Sequence, residues 1–186
     1  MVSKFDFEEY WPQINCLIPI TDENGGNSTQ IYMENGGKVL IQNRTNTVLK
    51  NLARVFALDL VELKKKYGKL VGRKTSTPLA LHPNLILLPV KIREVVIKDE
   101  GSRGYVVNSQ IKAVEFLNRK KSRIIFLDGT FLDCLQSVDS INLVRAHGRI
   151  IARECQSSFT LVKEKEEVYQ VVKAILSTLD ANKVSY

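Results

Sequence analysis

The sequence predicts an α+β fold made mostly of antiparallel strands, with one central helical segment and two C-terminal helices. Three observations lead there. Short apolar runs bounded by Gly, Asn, Asp and Pro fill the first 41 residues and then residues 77–135. Between them, apolar residues over 45–67 recur at three- and four-residue steps, the period of one buried helix face. The last helices follow the strands without the regular strand–helix alternation of a doubly wound sheet.

The elements follow in order. Ile14–Ile20 and Thr29–Met33 read as strands, separated by the polar loop Asp22-Glu23-Asn24-Gly25-Gly26-Asn27. Asn35-Gly36-Gly37 then marks a hairpin into Lys38–Ile41, because Asn and Gly accept positive φ cheaply. In 45–67 the stripe is Val48, Leu52, Val55, Phe56, Leu60, Leu63 and Tyr67. Thr45 or Thr47 is placed to cap its start and Gly68 to close its end. Asp59 followed by Glu62 has the spacing of a capping pair, so the segment is either one helix or two with a bend near Ala57-Leu58. Leu79–Leu81 and Leu85–Val90 flank His82-Pro83-Asn84, and residues 104–117 carry a mixed strand pattern. Arg123–Leu127 and Thr130–Cys134 face each other across Asp128-Gly129, the strongest short hairpin signal in the chain. One C-terminal helix would bury Val138, Ile141, Val144 and Ile151, opposite a polar stripe of Asn142, Arg145, Arg149 and Arg153. A second would bury Val168, Val172, Ile175 and Leu179.

Composition narrows the function. The 186 residues suit one α+β DNA-binding domain over 1–186, with an acidic N-terminal strand region (1–40) and a C-terminal helix (161–186). Three cysteines without a CxxC pair argue against a disulfide scaffold or a thiolate zinc site. No apolar run is long enough to span a bilayer, and the acidic N-terminus lacks the apolar centre of a signal peptide. The expected location is the cytoplasm, in association with the nucleoid. The net charge is +7, and its distribution matters more than its size. Residues 1–40 hold two Lys/Arg against six Asp/Glu (−4), 41–74 nine against two (+7), and 75–130 nine against five (+4); the rest sums to zero. A positive field concentrated in mid-chain suits a phosphate backbone.

The middle of the chain also resembles a known family. Leu52-Ala53-Arg54-Val55-Phe56-Ala57, then Lys64-Lys65, then Pro78-Leu79-Ala80-Leu81 is similar to a stretch of the competence regulators of the ComK type. There a Ser-Cys-Arg-Phe-Tyr-Gly-like string precedes an Arg-Lys-Lys run and a Pro-Ile-x-Ile strand. Leu85-Ile86-Leu87-Leu88-Pro89-Val90 resembles that family's apolar run ending in Pro-Thr, and residues 105–135 its strand, basic turn and hairpin. The resemblance covers roughly residues 38–151. This chain departs from the pattern at Leu52 and Ala53 (Ser-Cys), Ala57 (Gly) and Leu63 (the first Arg). The resemblance implies a transcription activator for competence that binds A/T-rich double-stranded DNA through the minor groove as a homo-oligomer, with no membrane partner.

Three sets of residues are candidates for DNA contact. The first is Lys50, Arg54, Lys64, Lys65, Lys66 and Lys69, with Arg73 and Lys74 following; its bland reading is a solvated helix face. The second is the turn Arg119, Lys120, Lys121 and Arg123, which equally reads as charge protecting a sheet edge. The third is Asn142, Arg145 and Arg149, otherwise an exposed polar face. An enzyme is not expected, nor a metal or cofactor: His82 and His147 lack metal-ligand partners at useful spacing, and Cys134 reads as a small buried hydrophobe. Trp11 reads as packing or an N-terminal lid. Two alternatives stay open. One is a partner-binding module of the same fold without DNA contact. The other is an RNA-binding regulator using Phe56, Tyr67 or Phe116 for stacking.

Overall fold

The computed structural model describes residues 5–23, 25–94 and 101–183, with side chains as far as 175. The α+β class holds, and two antiparallel sheets carry the strands. A short helix, α1 (Phe7–Tyr10), is capped by Asp6, whose carboxylate accepts from the backbone N–H groups of Glu8 and Glu9. Strands β1 (Ile14–Thr21), β2 (Asn27–Met33) and β3 (Lys38–Ile41) then form a meander. Asn35 at φ 64° and Gly36 at φ 80° make the β2–β3 turn, in the left-handed region these residues tolerate.

The central segment is two helices, α2 (Thr45–Val55) and α3 (Leu60–Leu70), with the bend where the alternative reading put it. Leu58 N–H donates to Ala53 C=O at 3.0 Å and Ala57 N–H to Arg54 C=O at 3.0 Å, which is a Schellman end for α2. Asp59 caps α3 by accepting from Val61 N–H and Glu62 N–H at 2.8 and 2.9 Å. Two expectations are corrected. Neither Thr45 nor Thr47 caps α2, which starts from Arg44 with no side-chain cap. Thr45 is buried with its hydroxyl 3.1 Å from Thr29, whose own proton goes to Asn43 C=O. Gly68 does not close α3 but lies inside it, and the left-handed residue after the helix is Gly72 (φ 65°).

Strands β4 (Leu79–His82), β5 (Leu85–Lys91) and β6 (Arg103–Val107) complete a six-stranded sheet in the order β3-β2-β1-β6-β5-β4. Residues 104–117 divide at a 3-10 turn, Asn108–Gln110. The chain then enters a second sheet of β7 (Ile111–Asn118), β8 (Lys121–Phe126) and β9 (Phe131–Cys134). Gly129 (φ 83°) turns the β8–β9 hairpin. That turn is tied to β1: Asn15 donates to Asp128 at 2.9 Å, and the Asp128 carboxylate also accepts from Thr130 N–H and Oγ1. Burial works against ionising Asp128, but these hydrogen bonds win and hold its carboxyl below the ordinary range.

The chain ends in one helix, not two. Helix α4 (Val138–Lys183) runs unbroken for 46 residues. It contains no proline, and its single glycine, Gly148, packs against the sheet; a Cβ there would lie 2.6 Å from Leu88 Cδ2. Nothing in the chain after Ile151 stops an α-helix, so two apolar stripes that look like separate helices share one axis. Leu179 lies outside the described side chains. The apolar side chains that are buried, from Ile14 on β1 to Ile151 on α4, form one continuous cluster.

Ala57 occupies a left-handed position (φ 53°) where glycine has no penalty. Ala57→Gly should raise stability by about 0.5–1 kcal/mol, the left-handed cost of an L-residue less glycine's extra chain entropy. Chemical denaturation at unchanged slope would show it, and a loss of stability would contradict this account of the bend.

Candidate nucleic-acid interface

The first candidate set divides with the helices. Lys50 and Arg54 ride on α2 and are exposed. Arg54 donates to Asn51 Oδ1 at 3.3 Å and lines a groove of about 1120 Å³ whose other walls include Asp6, Glu8 and Leu40. That groove mixes charge signs, unlike the cavity at α3. On α3 the cations converge. Lys64, Lys65, Lys69, Arg73 and Lys74 surround Gly68 and Gly72 in a shallow cavity of about 530 Å³. Lys66 stands apart, its ammonium 5.4 Å from the Tyr67 ring.

Gly68 shapes this cradle. Arg73 N–H donates to Gly68 C=O at 2.8 Å, so the chain folds back over the end of α3. A Cβ at Gly68 would meet the Arg73 carbonyl oxygen at 2.5 Å, which leaves no room for a side chain. Thr77 Oγ1 donates to the same Arg73 carbonyl at 3.4 Å, fixing the loop from the other side. The cations are largely uncompensated. Among the described residues the cradle holds one ion pair, the exposed Lys65–Glu62 contact at 3.7 Å, of a kind worth little.

Helix α4 runs beside α3. Tyr67 is buried, its hydroxyl bonded to the Cys155 thiol, and burial pushes its ionisation well above the usual phenol range. His147 is held below its ordinary value by burial and by the nearby charge of Arg73. At 100° per residue, Arg145 and Arg149 lie about 40° apart on α4, while His147 lies on the opposite flank. The third candidate set is therefore not part of the cradle. Arg145 is half-buried with no hydrogen-bond partner at Nε; burial, then Arg149, lowers its proton affinity. Asn142 and Arg149 are exposed.

The second set also divides. Arg119, Lys120 and Lys121 are exposed at the β7–β8 turn, which Asn118 Oδ1 stabilises by accepting from Lys120 N–H at 2.9 Å. Arg123 is occupied on the sheet face. Its guanidinium forks onto Asp133 at 2.6 and 3.0 Å and lies 4.0 Å from the Phe131 ring centre. That bidentate bond holds the Asp133 carboxyl below the usual range. The register that places Arg123 opposite Asp133 is a cross-strand relation, which the linear basic run Arg119 to Arg123 conceals.

His82 and Cys134 are packed into the fold, whereas His147 Nδ1 is buried with no hydrogen-bond partner among the described residues. His82 sits among Trp11, Phe56 and Phe159 at centroid distances of 5.1, 5.8 and 5.3 Å, and its Nδ1 accepts from Asn84 N–H. Trp11 is thus packing, edge-on to Phe56. Burial pushes the Cys134 thiol up to about 12, far from a reactive thiolate. Among the described residues no three His, Cys, Asp or Glu side chains are grouped to hold a metal, and no helix is long and apolar enough to cross a membrane.

In an open helix Gly→Ala adds stability. Gly68→Ala should instead lower the melting temperature, by overpacking of about 1–3 kcal/mol against the Arg73 carbonyl. A thermal melt showing a gain would mean that this loop does not rest on α3. No family model matches the chain, and no curated protein matches it in sequence.

Proposed function

We propose that this chain is a DNA-binding regulator of transcription, acting as an activator on A/T-rich double-stranded sites in the manner of the competence regulators it resembles. The observation that carries the reading is the α3 cradle, where five cations share one cavity with a single weak counter-charge. The bland explanation, a solvated helix face, covers the lysines of α3 alone; it does not account for Arg73 and Lys74, which the Arg73–Gly68 hydrogen bond draws back to the same cavity. Five cations gathered at one spot suit a polyanion, and release of its counterions would supply the driving force. Narrow A-tract minor grooves concentrate negative potential and take up Arg and Lys, so Arg73 is the cradle's best candidate for a groove contact. At the cradle duplex DNA is favoured over RNA, because the one aromatic ring of α3, Tyr67, is buried and offers no stacking platform there; the exposed ring that an RNA reading would use is Phe116, at the β7–β8 turn. A cytoplasmic, nucleoid-associated location follows from this reading.

Self-association belongs to the same reading, and α4 supports it. Beyond Ser158 every described side chain to residue 175 is exposed; Val168, Tyr169 and Val172 form an apolar stripe at three- and four-residue steps, and Leu161 and Val162 lie one heptad before Val168 and Tyr169. A second copy of this helix would cover it and bring two DNA-binding bodies together. A V168D/V172D double substitution should halve the mass seen by light scattering. A wild-type chain that is monomeric at micromolar concentration would remove this part of the reading.

Fluorescence anisotropy with an A/T-tract duplex and a G/C-rich duplex tests DNA binding itself. Binding should be tighter to the A/T duplex, with log K falling by about 0.9 per phosphate contacted for each decade of salt. Replacing Lys69 and Arg73 together by Ala should flatten that slope by about two. Feeble, salt-insensitive binding to both duplexes would favour the partner-binding module instead.

A further inference from the structure

The β7–β8 tip carries more than charge. Burial falls away along β7: Ile111 is buried, Ala113 and Val114 are half-buried, and Glu115 through Asn118 are exposed. Phe116 is 69% exposed and Leu117 40% exposed. Both stand next to Arg119, Lys120 and Lys121, all exposed, and neither Arg119 nor Lys120 is in an ion pair among the described residues. Phe116 pairs with Ser122 and Asn118 with Lys121, so Leu117 is the extra residue of a β-bulge, and the turn itself is only Arg119-Lys120. A bulge places two residues opposite one and re-aims their side chains, so these neighbours need not alternate faces as they would in a regular strand.

We propose that this tip is an intercalating wedge: Phe116, supported by Leu117, enters a base step of duplex DNA from the minor groove while Arg119, Lys120 and Lys121 hold the flanking phosphates. The inference rests on the DNA-binding reading and adds to it a residue that bends the site. The physical fit is specific. Minor-groove proteins that kink DNA insert apolar side chains between bases and bend the duplex toward the major groove, while cations beside the wedge hold the phosphates that border the opened minor groove. Flexible pyrimidine–purine steps open most readily, so the wedge adds discrimination among A/T-rich sites without a base-edge hydrogen bond. A membrane surface also takes apolar and basic groups, but stable anchoring needs a broad apolar face or a second signal, and this tip offers two side chains. Arg123 takes no part, because Asp133 holds it.

The test uses the full chain and an end-labelled A/T-tract duplex with 2-aminopurine at a central TA step. Wild-type protein should brighten the 2-aminopurine and raise end-to-end energy transfer. Phe116→Ala should abolish both signals while the anisotropy titration still shows binding, weakened about tenfold or less because the phosphate contacts remain. Phe116→Trp should restore the bend. As Phe116 is exposed, a melting curve for the alanine variant should match the wild type. Wild-type binding without brightening, or equal brightening by Phe116→Ala, overturns the wedge and leaves the DNA-binding reading standing. Absence of duplex binding by the wild type overturns both. Phe116-dependent sedimentation with phosphatidylglycerol vesicles, without DNA unstacking, overturns the wedge in favour of a membrane contact.

Discussion

The fold depends on covering strands that are apolar on both faces. In β1 the first six residues are buried without alternation, and in β5 six of seven are. A strand of that kind cannot lie at a solvated surface, because every second residue would then present a large apolar side chain to water. The helices meet this demand directly. Gly148 lets α4 approach Leu88 to a distance that a Cβ would forbid. Within the sheet Gly104 does the same for Leu17 C=O, which a Cβ would meet at 2.8 Å. The second sheet is tied to β1 by the part-buried hydrogen bond from Asn15 to Asp128.

Once those faces are covered, the polar residues have few places to go, and this sets the surface charge. Helix α3 turns Leu60, Leu63 and Tyr67 inward, so its lysines at 64, 65 and 69 share the outside. The loop after it is drawn back by the Arg73–Gly68 hydrogen bond, which adds Arg73 and Lys74 to the same spot. The cradle therefore arises from the packing of α3 together with one glycine. Lys50 and Arg54, four residues apart on α2, are excluded because the left-handed residue at Ala57 redirects the chain.

What the sequence made legible was local. Asp59 announces the start of α3 because a cap acts on N–H groups two and three residues away. Asn35-Gly36 and Asp128-Gly129 mark turns because the φ they adopt is a property of those residues. Features that depend on distant partners were not legible. The Arg123–Asp133 fork needs the strand register, and the two apolar stripes of α4 read as separate helices because periodicity does not say whether they share one axis. Gly68 reads as a helix end by propensity, yet its reason is a carbonyl five residues on. Of the first candidate set, Lys64, Lys65, Lys69, Arg73 and Lys74 gathered at the cradle while Lys50, Arg54 and Lys66 did not; the hairpin set lost Arg123, and the α4 set lies on a separate flank. Phe116 was visible as an aromatic among basic residues, but its exposure follows from a bulge that no pattern of alternation reveals.

Exposed apolar side chains scattered singly need no explanation, since much of any protein surface is apolar. Here they are concentrated on the outer length of α4 and at the β7–β8 tip. The two differ in form, and the form constrains what each can meet. The α4 stripe lies in two patches one heptad apart, Leu161-Val162 and Val168 to Val172, separated by the charged block Lys163 to Glu167, a pattern that suits a second helix. The tip is one bulged turn with cations on its flank, too small to stabilise a protein interface of ordinary area. A narrow apolar point ringed by positive charge matches a gap between stacked bases, where a single ring replaces the stacking it disrupts and the phosphates lie within reach of Arg119 and Lys120. Under the proposed reading, the tail would set how many copies assemble, the α3 cradle would supply salt-dependent affinity, and the hairpin would set the shape of the DNA they hold.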